Sequence, residues 1–194
     1  MHDKKVATGV QAGKGRLPAL GVACLLGALA GSLCCSHMTM LRQFVQGQLE
    51  ETQTVWQYFF RDGILLLAML GAGFLRVGCI IALITAAVKG FCLSAAATLS
   101  VMELGNSGYA LSMILWFLPG FLSMTALLLL GRQAMGWAAG RARLPARRGK
   151  GLLPDGTYYV TAAICTGITL LAALLAVRVT PGLWAAVKTF LPIT

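Results

Sequence analysis

Five long apolar stretches constrain the fold of this chain more than any other feature. The first, residues 18–35, reads PALGVACLLGALAGSLCC and carries no charge. A helix needs roughly 20 apolar residues to cross a hydrocarbon core of about 30 Å, and lipid forces each backbone polar group to be satisfied within the segment. The pattern therefore predicts an all-α integral membrane bundle of five transmembrane helices, at residues 17–35, 64–88, 90–104, 109–130 and 158–177.

The segments outside these stretches define three regions. We expect a basic cytoplasmic tail at 1–16, a five-helix membrane domain at 17–178 and a short interfacial C-terminal segment at 179–194. Between helices 1 and 2, residues 36–62 form an outer segment with apolar side chains three or four residues apart. This spacing is typical of an amphipathic helix on a membrane surface, although an ordinary loop with interfacial aromatic residues is the alternative.

The chain is strongly basic, with 16 Lys and Arg against 6 Asp and Glu. In a soluble protein such an excess would suggest nucleic acid, but in this composition it favours anionic lipid headgroups, and no nucleic-acid partner is expected. With the N-terminus inside, eleven basic residues fall inside, including Lys89 in the short loop between the second and third stretches, and four fall outside. The charge rule therefore predicts a cytoplasmic N-terminus and an outer C-terminus. If residues 64–88 formed a re-entrant hairpin, each later loop would lie on the opposite side of the membrane. The charge rule disfavours this alternative, because the basic loop 131–156 would then lie outside.

The N-terminal segment also has two interpretations. A basic start followed by an apolar run describes a signal peptide, but this run exceeds the about 7–15 residues of a typical apolar core. We therefore expect an uncleaved first helix. In the basic loop 131–156, one cluster is predicted to bind inner-leaflet headgroups: Arg141, Arg143, Arg147, Arg148 and Lys150.

Two charged residues are candidates for a structural or functional role within the membrane. Arg76 lies inside the second apolar stretch, where a lipid-facing arginine would cost about 2.5–3.5 kcal/mol. Its expected partners are Glu103, carbonyl groups freed near the glycines at 71–78, or headgroups at the inner surface. A structural role is favoured over a proton relay, since Glu103 is the one acid expected near membrane depth.

Small residues and one proline complete the set of candidates. Gly27 and Gly31 form a GxxxG motif, which lets helix backbones approach closely in lipid. We expect packing within one chain, with a homo-oligomer as the alternative. The Pro119-Gly120 pair falls inside the fourth stretch, where proline is predicted to kink the helix.

The sequence offers no catalytic, metal or cofactor motif. Its two histidines, His2 and His37, have no acid placed to orient them, and no carboxylate pair is apparent. The six cysteines lie in or beside apolar stretches without metal-ligand spacing, so they are interpreted as small membrane residues. We expect no enzyme activity and no cofactor.

The order of these features resembles the stage II sporulation protein M family of bacteria. The resemblance covers about residues 18–180 and rests on short motifs in order: Gly27-x-x-x-Gly31, Phe59-Phe60-Arg61, Lys89-Gly90-Phe91, Leu104-Gly105 before Gly108, and Leu118-Pro119-Gly120. It implies a five-helix protein of the bacterial cell membrane, at the sporulation septum in spore formers.

The function that this resemblance implies is a non-enzymatic scaffold. Such a protein would anchor or localise peptidoglycan hydrolases of a sporulation complex during septal wall remodelling and engulfment. The alternative is a permease-like or channel subunit that moves a small solute or ion, suggested by Arg76, the glycines of the second stretch and Pro119.

Overall fold

Five helices make up the described part of the chain. The computed structural model describes residues 15–37, 54–104, 109, 112–113, 118–142 and 154–190, with the backbone alone at 36–37, 103–104, 118 and 179–190. In chain order the helices are α1 (Arg16–His37), α2 (Val55–Ala72), α3 (Gly78–Leu104), α4 (Leu118–Ala142) and α5 (Gly156–Phe190). The predicted all-α class is confirmed, and the described residues contain no strand.

The second and third helices do not begin and end where the apolar stretches do. We predicted one crossing at 64–88 and a break near Lys89, and both predictions are wrong. The chain instead turns at residues 73–77, and α3 runs without interruption through Lys89 and Gly90. The turn is tight because Gly78 lies against the carbonyl group of Ala72, which leaves no space for a Cβ atom. A glycine-rich segment can turn there, whereas Lys89 remains helical.

Arg76 lies in this turn rather than inside a helix, and its residue is exposed. Glu103 lies near the far end of α3, where only its backbone is described. The two positions are separated by the length of the 27-residue helix, roughly 40 Å at 1.5 Å per residue. The predicted pairing of Arg76 with Glu103 is therefore wrong.

Glycines bring α1 and α3 into close contact. A Cβ atom on Gly27 would overlap the backbone of Ala87, and one on Gly31 would lie 2.5 Å from the Phe91 carbonyl oxygen. On the opposite side of the interface, Gly90 lies against the Cys24 carbonyl group. The GxxxG motif thus packs against another helix of the same chain, as expected where van der Waals contact drives helix association in lipid.

Polar side chains add hydrogen bonds to the same interface. The Ser94 hydroxyl donates to the Ala28 carbonyl oxygen at 2.6 Å and lies 3.3 Å from the Ser32 hydroxyl. The Cys35 thiol donates to the Ala95 carbonyl oxygen, with 3.6 Å between sulfur and oxygen. These bonds satisfy side chains that could find no water partner inside an apolar interface.

A buried tyrosine connects the start of α5 to the end of α2. Tyr158 is fully buried, and its hydroxyl donates to the Leu70 carbonyl oxygen at 2.7 Å. This carbonyl belongs to the last turn of α2 and also accepts the backbone N–H of Gly73 at 3.2 Å, so the tyrosine adds a second hydrogen bond to it. The ring fits because Gly73 carries no side chain; a Cβ atom there would overlap the hydroxyl. Phe74 packs edge-on against the same ring.

Among the described residues, three helices are long and apolar enough to cross a membrane. They cover Arg16–Cys35, Gly78–Met102 and Gly156–Arg178, and large apolar side chains such as Leu29, Ile84 and Ile164 are exposed on them. The helix α5 continues past residue 177, where we expected it to end, to Phe190. The predicted amphipathic segment 36–62 lies largely outside the described residues; its last part, from Val55, belongs to α2.

The glycine contacts predict which small residues the bundle requires. A Gly27→Ala substitution places a methyl group into the backbone of α3, and we expect it to lower the free energy of unfolding by about 2 kcal/mol, as overpacking does. Thermal unfolding of the full-length chain in detergent measures the effect. Gly21→Ala is the matched control, because a Cβ atom at Gly21 meets nothing within 4 Å. Equal losses in both variants would contradict the interface.

Candidate functional site

An ion pair joins α2 and α3 inside the bundle. The Lys89 ammonium donates to Oδ1 of Asp62 at 2.6 Å. The side chain of Lys89 is 6% exposed and that of Asp62 is 21% exposed. Both residues lie roughly 15 Å along their helices from the turn. The pair therefore lies near the middle of α2 and of α3.

This position reverses our prediction for Lys89, which we expected in an inner loop. Lys89 can stay within α3 because the hairpin of α2 and α3 brings a carboxylate to the same level. Gly90, the next residue, packs against α1. A lysine without a carboxylate partner would pay several kcal/mol of desolvation that nothing offsets. The hairpin thus pairs a buried lysine with a partly exposed aspartate.

A small cavity adjoins the ion pair between four helices. Its volume within reach of the centre of a water molecule is about 30 Å³, room for about two waters, since one needs roughly 10–15 Å³ by this measure. Its polar wall consists of Tyr58, Arg61, Asp62, Lys89 and Ser123. The remaining wall is apolar and is formed by Leu93, Pro119, Gly120, Ala172, Ala173 and Ala176.

Two helices supply small residues that leave this space open. On α5 the three alanines of the wall are buried, and their methyl groups are too short to fill it. On α4 the first turn supplies Pro119 and Gly120, and Gly120 is close enough to Leu93 that a Cβ atom would lie 2.8 Å from Cδ2. The Ser123 hydroxyl donates to the Gly120 carbonyl oxygen at 3.1 Å. The cavity is therefore a space left between short side chains of packed helices.

Pro119 is predicted to kink the helix of the fourth apolar stretch. It is buried and helical, directly after Leu118 in α4. Residues 114–117, which precede it, lie outside the described residues, so the kink stays a prediction.

Three of the described basic residues, Arg16, Arg76 and Arg141, lie at the opposite end of the bundle from this cavity. Arg141 is buried, with its guanidinium 5.6 Å from the centre of the Phe74 ring in the α2–α3 turn. It therefore packs against protein, whereas we predicted contact with headgroups. Arg16 lies against α4 near Gly136. The other predicted headgroup residues, Arg143, Arg147, Arg148 and Lys150, lie outside the described residues.

Sequence reasoning missed Asp62, Tyr58 and Ser123. We assigned Asp62 to the outer segment and considered only Arg76 and Glu103 for membrane depth. A usable pattern was present: Asp62 and Lys89 are opposite charges at nearly equal distances from the glycines at 73 and 78. If those glycines form a turn, the two residues must meet. Ser123 is indistinguishable by sequence from other small polar residues of membrane helices.

Comparisons with known proteins add no assignment to this site. The chain matches no protein-family model, no curated protein and no solved structure. Across the part of the chain that the structure describes, no group of three or more His, Cys, Asp and Glu residues is placed to hold a metal ion. The chemistry of the site therefore rests on the ion pair and the cavity beside it.

The ion pair predicts a characteristic pattern of stability. Lys89→Met leaves a carboxylate in the bundle and Asp62→Asn leaves an ammonium, so each single substitution should lower the free energy of unfolding by about 3 kcal/mol or more. The double variant removes both charges and should recover most of that loss. Thermal unfolding of the four proteins forms a double-mutant cycle. Additive losses would show that the two side chains are not coupled.

Proposed function

We propose that this chain is a non-enzymatic membrane scaffold that crosses the bilayer five times and holds peptidoglycan hydrolases at the cell membrane. The role is the one implied by the resemblance to stage II sporulation protein M. The observation that carries it is the ion pair between α2 and α3: Lys89 and Asp62 neutralise each other at 2.6 Å. The cavity beside them admits about two waters. A permanent ion pair in a tightly packed bundle suits a rigid anchor.

The five crossings are supported by the packing of the two remaining helices. α2 and α4 contact each other, and each contacts α3 and α5, both of which are apolar enough to cross a membrane. Large apolar side chains are exposed on α2 and α4 as well, including Ile64, Leu67, Phe121 and Leu129. Contacts of this kind are expected of helices that cross the same bilayer side by side.

The orientation is supported by the distribution of charge. Arg16, Arg76 and Arg141 come together at one end of the bundle, and in sequence the basic cluster 143–150 follows directly after that end. Compared with the assignment from the sequence, Arg76 is now on the inner side and Lys89 within the membrane. The number of basic residues assigned to the inner side is therefore unchanged. Because basic loops remain cytoplasmic, we infer an inner N-terminus and an outer C-terminus.

This topology can be tested at the two ends of α2. In a variant without native cysteines, Thr54→Cys and Leu75→Cys each place one thiol at an exposed position. An impermeant maleimide added to intact bacterial cells should label position 54 and spare position 75, because the helix crosses the membrane between them. Permeabilised cells, in which both positions should react, provide the control. Equal labelling in intact cells would mean that α2 and the turn stay on one side.

A surface suited to partner binding lies at the outer end of α2. Trp56 and Phe60 are both more than half exposed, and their rings form a cluster with Phe59 with centroids about 6 Å apart. Aromatic residues are enriched in protein interfaces and at membrane–water boundaries. At the outer leaflet, the cluster would face the compartment in which peptidoglycan hydrolases act.

The scaffold proposal is tested in the spore-forming or wall-remodelling host of the protein. Deletion of the gene should leave septal peptidoglycan in place, and the tagged full-length chain should co-purify with activity that degrades peptidoglycan. We expect the double variant Trp56→Ala, Phe60→Ala to lose about tenfold of that co-purified activity, since aromatic anchors carry much of the binding energy of an interface. Leu67→Ala, exposed on the inner half of the same helix, should behave as wild type. Normal wall remodelling in the deletion strain would refute the proposal.

The second candidate function is a permease-like or channel subunit. The ion pair favours it, because ionisable residues at membrane depth often mark pathways for ions or protons. Reconstitution of the full-length chain in liposomes decides between the two. Flux of a small ion that Lys89→Met abolishes would favour transport, whereas absence of flux together with hydrolase binding would favour the scaffold.

A further inference from the structure

Two arginines from different helices lie close together at the end of the bundle that holds the α2–α3 turn. The guanidinium of Arg16 lies beside Gly136 of α4, where a Cβ atom would be 2.9 Å from Nη1. Arg132 is four residues before Gly136 in the same helix, so the two positions share a face and lie about 5–6 Å apart. Arg132 is exposed and Arg16 is partly buried. The contact between α1 and α4 thus brings two positive charges to one place.

No described acidic side chain balances these two charges. Among the residues that the structure describes, neither guanidinium forms an ion pair with a carboxylate. Arg16 also begins α1, and the dipole of that helix adds a partial positive charge at this end. Neighbouring like charges repel, so an anion between them stabilises the folded state. Guanidinium groups bind phosphate oxygens through pairs of N–H donors. We propose that Arg16 and Arg132 bind the phosphate of one anionic phospholipid.

The level of the site in the bundle favours a lipid over a soluble phosphate. A Cβ atom on Gly78, at the start of α3, would lie 3.0 Å from Cβ of Ala138, so the α2–α3 turn is level with this part of α4. Trp137 is partly buried at the same level, and Tyr159 is exposed in the first turn of α5. Both residue types are enriched where the hydrocarbon core meets water, which is where lipid phosphates lie.

The surroundings of the two arginines also suit a lipid. Leu17, next to Arg16, is exposed, as is Leu129, which lies three residues before Arg132 on α4. Arg132 lies roughly 6 Å further from the end of the bundle than Gly136, and an arginine so placed keeps its methylene groups among acyl chains while its guanidinium reaches the phosphate. The lipid belongs to the inner leaflet in the orientation proposed above, but the site itself does not depend on that orientation.

Thermal unfolding of the purified full-length protein in detergent tests the proposal. Anionic dioleoylphosphatidylglycerol is compared with dioleoylphosphatidylcholine, which has the same acyl chains and no net charge, and with inorganic phosphate at equal concentration. A ligand that binds the folded state alone raises the unfolding temperature with its concentration. We expect the anionic lipid to raise this temperature and the other two compounds to raise it less.

Two substitutions that remove charge locate the effect. Arg16→Gln and Arg132→Gln should each weaken the apparent affinity for the anionic lipid about tenfold, since each removes one set of charge-assisted hydrogen bonds. Arg178→Gln removes an exposed arginine from a distant part of α5, so it should respond as the wild type.

Gly136→Ala tests the position of Arg16 without removing a charge. The added methyl group meets only the flexible end of the Arg16 side chain, so it should displace the guanidinium with little effect on the unfolding temperature in phosphatidylcholine. We expect the affinity for the anionic lipid to fall roughly threefold or more, because the guanidinium no longer lies beside Arg132. Gly140→Ala is the matched control, since a Cβ atom there meets nothing within 4 Å.

Equal shifts with the two lipids, or an unchanged affinity in Arg132→Gln, would overturn the proposal. A shift with inorganic phosphate as large as that with the anionic lipid would also overturn it, because the site would then bind free phosphate. If Arg16→Gln fails to fold, the comparison of Gly136→Ala with Gly140→Ala still decides the role of Arg16. The measurement uses purified protein without partners, so its outcome is independent of the scaffold proposal.

Discussion

The pairing of a buried lysine with a partly exposed aspartate between apolar helices is the constraint on which the arrangement of α2 and α3 depends. A buried lysine without a partner would pay a desolvation cost of several kcal/mol, and Lys89 remains in the bundle because it meets Asp62 at 2.6 Å. That contact requires the turn at 73–77 and sets the register of the two helices, since a shift by one residue would separate the groups. The cavity exists beside this pair, so the site depends on the same contact.

Small residues determine how the other helices pack around this hairpin. Glycines on both α1 and α3 allow the two backbones to touch, whereas alanines on α5 keep that helix near the cavity without filling it. In lipid the hydrophobic effect does not bring helices together, so close contact between backbones is the main source of association. Near the turn between α2 and α3, the Tyr158 hydroxyl adds a hydrogen bond to the Leu70 carbonyl oxygen at the end of α2. Contacts between helix backbones and a side-chain hydrogen bond to a helix end thus both stabilise the bundle.

Much of the site could not be predicted from the sequence. The residues next to a charged side chain do not show whether it lies in a loop or pairs with an opposite charge inside the bundle. Lys89 followed by Gly90 is typical of a break between apolar stretches, and Arg76 among apolar residues is typical of an embedded charge. The structure exchanges the two: Arg76 lies in the turn and Lys89 in the helix. The decisive fact is that Asp62 reaches Lys89 across the hairpin, and its separation of 27 residues in sequence has no signature in composition.

The sequence by itself determined the all-helical class and the apolar length of the helices. It also determined the excess of basic residues in the loops that are assigned to one side of the membrane. These follow from the need of a backbone in lipid to bond within its own segment and from the preference of basic loops for one side of a membrane. Only the tertiary structure decided which charges are buried, where α2 ends and what adjoins Pro119. Those outcomes depend on contacts between side chains of different helices, and the free energy of such a contact is defined only when both partners are in place.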